Sequence, residues 1–167
     1  MDAWLQYLPQ FVAIAILLAL SAFFSGSETS LFSLSRAQVH RLSEGSAGER
    51  AASRLLHSPQ RLLSTILVGN MTVNILLTSL CASTVNHLVQ GNDTWATVLS
   101  IVVVWPLLIT FGELTPKTIA CNHSLALAPW VSFPLDLLAW ITAPVRGFLR
   151  LAAQALMWLL GHSATAE

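Results

Sequence analysis

Three stretches of the chain, about 5–34, 62–89 and 95–116, are each apolar over the roughly 20 residues that a helix needs to cross a hydrocarbon core. No water reaches the backbone at that depth. Its N–H and C=O groups must pair within the segment, so each stretch is predicted to be a spanning helix. Composition agrees: hydrophobic residues make up 54% of the chain and charged residues 10%. Soluble domains carry about 25% charge, which excludes a soluble globule. Disorder needs low hydrophobicity and high charge, and is excluded too. Lys+Arg and Asp+Glu both number 8, so there is no basic excess for nucleic acid. The first stretch has neither a basic leader nor a small-residue cleavage site and is expected to be a retained span. Cys81 and Cys121 show no CxxC or CxxH spacing, so both read as small buried hydrophobes.

A fourth apolar region, from about Trp130 to Leu160, contains Pro134, Asp136, Pro144, Arg146, Gly147 and Arg150. Charges at the centre of a span cost about 2.5–3.5 kcal/mol each, and proline interrupts the helical ladder. The region is therefore predicted to form broken helices in an interfacial belt, about 119–160, anchored by Trp130, Trp140 and Trp158. Basic residues sharpen the topology. Arg36, Arg41, Arg50, Arg54 and Arg61 lie between the first and second spans, and Lys117, Arg146 and Arg150 follow the third. With three spans every one of them falls on the cytoplasmic side. That puts the N-terminus outside and the C-terminus inside. The polar stretch 36–57 reads as a cytoplasmic hairpin of two short helices, turning near Gly45, Ser46 and Gly48. The expected fold is an all-α membrane protein with three spans and a juxtamembrane helical belt.

Polar residues inside spans are costly and need a reason. On the first span Ser21, Ser25 and Glu28 share one stripe, and on the second Asn70, Asn74 and Thr78 do the same at i, i+4, i+8. The third carries Thr110, Gly112, Glu113 and Thr115 beside Pro116. Pro116 has no N–H to give the Gly112 carbonyl, so a helix break with a bare backbone oxygen is predicted next to a carboxylate. Irregular backbone at membrane depth lines cavities, and broken helices with free carbonyls build cation sites. Hydroxyl, carboxamide, carbonyl and carboxylate oxygens suit hard cations such as Mg²⁺, Ca²⁺ or Na⁺ rather than zinc or copper. Ser21, Ser25, Asn70, Asn74, the Gly112 carbonyl and Glu113 supply about the six oxygens that Mg²⁺ takes. Other readings stand beside this one. Ser21 and Ser25 can bond a backbone carbonyl or permit close packing, and the asparagines can act as interhelical glue. Glu113 can be a buried protonated acid. Glu28, a secondary candidate ligand, can instead pair with Arg36.

His40, His57, His87, His123 and His162 fall at predicted boundaries and loops and read as solvated. The sequon Asn92-Asp93-Thr94 sits in a short loop and reads as incidental. There is no HExxH and no G-x-S-x-G, so the chain is not expected to be an enzyme.

The run FFSGSETSLFSLSR, Phe23 to Arg36, resembles the opening helix of the CorC/CNNM magnesium transport family's membrane domain, also called DUF21. LLSTILVGNMTVN, Leu62 to Asn74, is similar to its second helix, and FGELTPKTIA, Phe111 to Ala120, to its G-E-x-x-P-K segment. The resemblance implies a homodimer in the bacterial cytoplasmic membrane, with three spans and a cytoplasmic belt. It implies Mg²⁺ bound between the helices and exported, coupled to Na⁺ entry. The family's serine pair falls on Ser21 and Ser25, its asparagines on Asn70 and Asn74, and its glycine, glutamate and proline on Gly112, Glu113 and Pro116. Gly26 and the 112–116 segment are candidate hinges. Family proteins continue into ATP-binding CBS domains, which this chain lacks, so it is expected to be the membrane domain of a longer protein. The rival expectation is a Mg²⁺-sensing or scaffold module that does not conduct; the residues do not separate the two.

Overall fold

The computed structural model describes residues 7–89 and 93–141, with positions 143, 147 and 151 beyond them. Among these residues all regular structure is helical. Helix α1 is Leu8–Phe32, followed by α2, Arg36–Ser43, and α3, Ala47–Leu56. Helix α4 is Pro59–Leu88, opening on a proline whose missing N–H costs nothing at a first turn. A composite helix then runs without interruption through α5 (Asp93–Leu99), a π segment Ser100–Val104, α6 (Trp105–Leu108), a second π segment Ile109–Leu114, and α7 (Thr115–Asn122). Helix α8, Ser124–Ile141, closes the described fold.

Among the described residues, four helices are long and apolar enough to cross a membrane: Leu8–Phe32, Pro59–His87, Thr97–Asn122 and Ser124–Ile141. The fourth differs from expectation. The belt was predicted to be broken at its prolines, but α8 stays continuous through Pro129 and Pro134. Its buried face explains this. Ala128, Ser132, Leu135 and Ala139 are all fully buried, and their spacing places them on one side of the helix. Packing along that side outweighs two weakened turns. The predicted belt beyond 141, with Pro144, Arg146, Arg150 and Trp158, lies outside the described residues.

The buried core is lopsided. Leu31, Leu42, Ala52, Leu55, Leu62, Ile66, Ala128 and Leu135 cluster where the end of α1, the α2–α3 hairpin, the start of α4 and α8 meet. The opposite halves of the apolar helices leave Phe11, Val12, Ile16, Ile75, Leu76, Ile101 and Val102 exposed, as a lipid-facing surface requires. Helices α3 and α8 lie side by side. A Cβ on Gly48 would come within 3.0 Å of the Pro129 carbonyl oxygen, and two turns further on Arg54 pairs with Asp136 at 3.9 Å. Of the two cysteines predicted to be buried, Cys81 is, but Cys121 is exposed on the outer side of α7.

Local chemistry sets the hairpin. Ser35 and Gln38 cap α2 reciprocally: the Gln38 N–H donates to Ser35 Oγ and the Ser35 N–H to Gln38 Oε1. The Ser46 N–H donates to Glu49 Oε2 at 2.6 Å at the start of α3. That bond holds the Glu49 carboxyl below the usual carboxylate range. A depressed folded-state value means the cap contributes fully above the ordinary carboxylate range and is lost as pH falls through the folded value. Wild type is therefore expected to exceed Glu49→Ala in thermal midpoint at neutral pH, with the gap closing in strong acid. A second pair tests the α3–α8 contact. Gly48→Val is expected to lower stability by about 1–3 kcal/mol through overpacking. Gly26→Ala, whose Cβ would meet Pro116 at an ordinary 3.7 Å, is expected to raise it slightly by helix propensity. Thermal midpoints in detergent check both.

Candidate cation site between three helices

Helix α1 has many hydroxyls, and most serve their own backbone. Ser27 Oγ donates to the Phe23 carbonyl, Thr29 Oγ1 to Ser25, Ser30 Oγ to Ser27 and Ser33 Oγ to Ser30. Ser21 and Ser25 behave differently. Ser21 Oγ donates to Asn74 Oδ1 on α4 at 2.7 Å, and Ser25 Oγ to the Glu113 carbonyl on the second π segment at 3.2 Å. Both serines are almost fully buried. Asn74 completes the link, its Nδ2 donating to Glu113 Oε1 at 3.0 Å. A continuous polar relay thus runs from α1 through α4 to the third helix.

The relay borders a cavity of about 180 Å³ lined by Ser21, Asn74, Leu77, Thr78, Trp105, Leu108, Ile109 and Glu113. Thr78 lines it but spends its hydroxyl on the Asn74 carbonyl at 2.8 Å. Asn70 sits one turn along α4 from Asn74. Its Oδ1 is buried and has no hydrogen-bond partner. A buried acceptor without a donor is costly, and a cation is one partner that would satisfy it.

Gly112 is buried where the third helix approaches α1. A Cβ there would lie 3.1 Å from Ser21 Oγ and 3.4 Å from Leu18 Cδ1. Glycine is needed for this close approach, which brings Glu113 within reach of Ser25. The predicted break at Pro116 takes another form. The chain keeps helical torsions at Leu114 and Thr115, and the Thr115 N–H reaches back five residues to the Thr110 carbonyl. Widening the turn moves the residue-112 carbonyl clear of the proline ring, which a normal α turn would press against it. The carbonyl engaged by the first-helix serine is that of Glu113, not of Gly112.

The same device occurs ten residues earlier, where the Trp105 N–H bonds the Ser100 carbonyl just before Pro106. Reading the sequence around Pro116 alone missed it, although Pro106 carried the same signal. Also missed was Glu28's partner. The expected Arg36 is not it; Lys117 Nζ lies 3.8 Å from Glu28 Oε2. Glu28 is thereby drawn to α7, outside the relay. Lys117 follows the proline directly, so the wide turn sets its direction.

Every group brought together here offers oxygen or an amide. Among the described residues, no three His, Cys, Asp or Glu side chains cluster in a way that would hold a metal. The arrangement fits a hard cation held by hydroxyl, carboxamide and a single carboxylate. In the relay as it stands, the Asn74 amide donor occupies one Glu113 oxygen. A cation held by that carboxylate would have to compete with this donor.

Residues 12–167 match the cyclin M transmembrane N-terminal domain family, CNNM. The chain belongs to the CNNM family. This CNNM domain is 34% identical over 152 residues to a UPF0053 protein of Haemophilus influenzae, covering 90% of the chain and 36% of that protein. It is 33% identical over 143 residues to the UPF0053 inner membrane protein YfjD of Escherichia coli, covering 85% and 33% respectively. To a chloroplastic DUF21 domain-containing protein of Arabidopsis thaliana it is 33% identical over 159 residues, covering 95% and 24%. The chain thus spans about a third or less of the length of these relatives. The CNNM family is associated in general with divalent-cation transport.

The relay makes a stability prediction. Asn74→Leu leaves Ser21 and Glu113 without their partner and is expected to cost about 1–3 kcal/mol. Asn70→Leu, removing an acceptor that bonds nothing, is expected to cost less. Thermal melts of the metal-free protein order the two.

Proposed function

We propose that this chain is the membrane domain of a Mg²⁺ transporter of the bacterial inner membrane, exporting Mg²⁺ in exchange for Na⁺. The observation that carries the reading is the Ser21–Asn74–Glu113 relay beside a cavity, with the orphaned Asn70 Oδ1 one turn away. Mg²⁺ sheds water onto Ser21, Ser25, Asn70, Asn74, backbone oxygen at 112–113, and Glu113. One carboxylate leaves a divalent ion under-neutralised, which favours the modest affinity that release requires. Na⁺ competes for the same oxygens and shifts the balance of inward- and outward-facing states.

Three spans with α8 as a belt fit the packing better than four spans. Helix α3 has ten residues and carries Glu49, Arg50 and Arg54. It is too short to cross a bilayer, at about 15 Å. Since α8 runs alongside it from Gly48–Pro129 to Arg54–Asp136, α8 lies at the same level, on the cytoplasmic surface. The N-terminus is then outside. The largely uncovered apolar surface of the third helix suits a homodimer packed through the second and third spans.

The test is Mg²⁺ binding by calorimetry, followed by Mg²⁺ flux in proteoliposomes with and without an opposing Na⁺ gradient. Glu113→Ala is expected to abolish binding while the oligomer survives. Asn70→Leu is expected to remove the Mg²⁺-dependent rise in melting temperature. Wild-type affinity in Glu113→Ala would reject the site. Binding without flux, in a protein that includes its cytoplasmic domains, would favour a sensing module over a transporter.

A further inference from the structure

The polar relay stops short on the side away from the α2–α3 hairpin. Each helix that supplies it carries a leucine about one turn further that way. Leu18 precedes Ser21 on α1, Leu77 follows Asn74 on α4, and Leu108 precedes Glu113 across the wide turn of the third helix. Leu77 and Leu108 line the cavity beside the relay. Further along, Leu108 lines an apolar groove of about 440 Å³ together with Leu18, Ile14, Cys81, Leu107 and Phe111. Leu108 thus stands between the two spaces. Leu18 reaches the edge of the relay, where its Cδ1 lies 3.4 Å from the place a Cβ on Gly112 would take. Leu77 is not an ordinary lipid-facing leucine: it is 2% exposed, whereas its neighbours Ile75 and Leu76 are 65% and 52% exposed. Among the described residues that line the groove, Thr84 carries the only hydroxyl, and it donates to the Leu80 carbonyl at 2.8 Å.

We propose that Leu18, Leu77 and Leu108 form a collar that gates the outer end of the cation path. This rests on the reading of the relay as a cation site and of the N-terminus as outside. A cation leaving outward gives up the oxygens of Ser21, Asn74 and Glu113 and meets walls that offer none in their place. Hydrophobic constrictions of this kind shut by expelling water rather than by filling the space. The collar therefore stops a hydrated ion even with a cavity on one side of it and a groove on the other. The means of opening lies in the third helix. Leu108 is the last residue before the wide turn Ile109–Leu114, which contains Glu113. A wide turn that migrates past Leu108 rotates that leucine by about 100° about the axis, while both ends of the helix keep their facing. One local movement opens the collar and leaves Lys117 on α1.

Cys81 reports on the collar, because it lines the groove one turn outward of Leu77, and Cys121→Ala leaves it the only thiol. The full chain with Cys121→Ala is reconstituted in vesicles and treated with a charged methanethiosulfonate, which reaches a thiol only through water. Cys81 is expected to be protected in this background. It is expected to react about tenfold faster once Leu108→Ser or Leu18→Ser is added, since each removes most of a leucine's apolar surface. Leu108→Met is expected to keep the protection. The serine variants are also expected to leak Mg²⁺ without a Na⁺ gradient while binding it with wild-type affinity in calorimetry. A serine variant that does not melt cooperatively is replaced by the alanine variant at the same position, with the same readings. Rapid reaction of Cys81 beside an intact collar overturns the proposal. So does unchanged protection in both folded variants, and so does faster reaction without a leak. Absence of Mg²⁺ binding with the collar intact defeats the cation site itself, whereas binding with no difference among the collar variants defeats the gate alone.

Discussion

Lipid tails are as apolar as leucine, so burying leucine against leucine gives membrane helices little reason to choose one arrangement. What fixes their mutual register must be polar or a matter of close shape. In this CNNM domain it is the Asn74 carboxamide. It accepts from Ser21 on one helix and donates to Glu113 on another. Both ends of the amide are used, which fixes the rotation of α4 against two neighbours at once. Gly112 lets the third helix come close enough for that geometry. Ser25 then ties down the Glu113 backbone. The proposed cation therefore enters a lattice already organised by hydrogen bonds and replaces one of its donors.

The apolar core sits elsewhere, on the side that carries the hairpin. There water is near and hydrophobic burial works as it does in a soluble protein. Leu31, Leu42, Leu62 and Leu135 are all but inaccessible, and they belong to four different helices. The domain has a greasy clamp at one end and a polar relay nearer the middle of its long helices. Between them stands the Glu28–Lys117 pair, half exposed. The clamp can hold the helices together while the relay rearranges, because the two depend on different forces.

Much of this was legible in the chain. Length and hydropathy marked the apolar helices. Helical spacing placed Ser21 with Ser25 and Asn70 with Asn74, since periodicity is a local property. Gly112 and Pro116 pointed to irregular backbone. Pairings between distant segments were not legible. Lys117 lies far from Glu28 in sequence, and only the packing of α7 on α1 brings them together. The same helical spacing left Ser27 and Ser30 off the stripe of Ser21 and Ser25, and both bond their own helix. The fourth apolar region misled because proline was weighed by its local cost, while the fully buried row at 128, 132, 135 and 139 decided the outcome.

The two π segments have a consequence for how this helix tolerates changes of length. A wide turn holds one residue more than the α pattern allows, so everything beyond it is rotated by about 100° about the axis. Beyond Ile109–Leu114, that rotation points Lys117 and the buried Ala120 toward α1. Loss of a single residue within the wide turn would restore a uniform helix and leave Lys117 and Ala120 facing α1, because the missing residue and the lost set-back cancel; loss of a residue outside it would turn both contacts away. The wide turn before Pro116 is thus a place where the helix can gain or lose one residue without changing which way its far end faces.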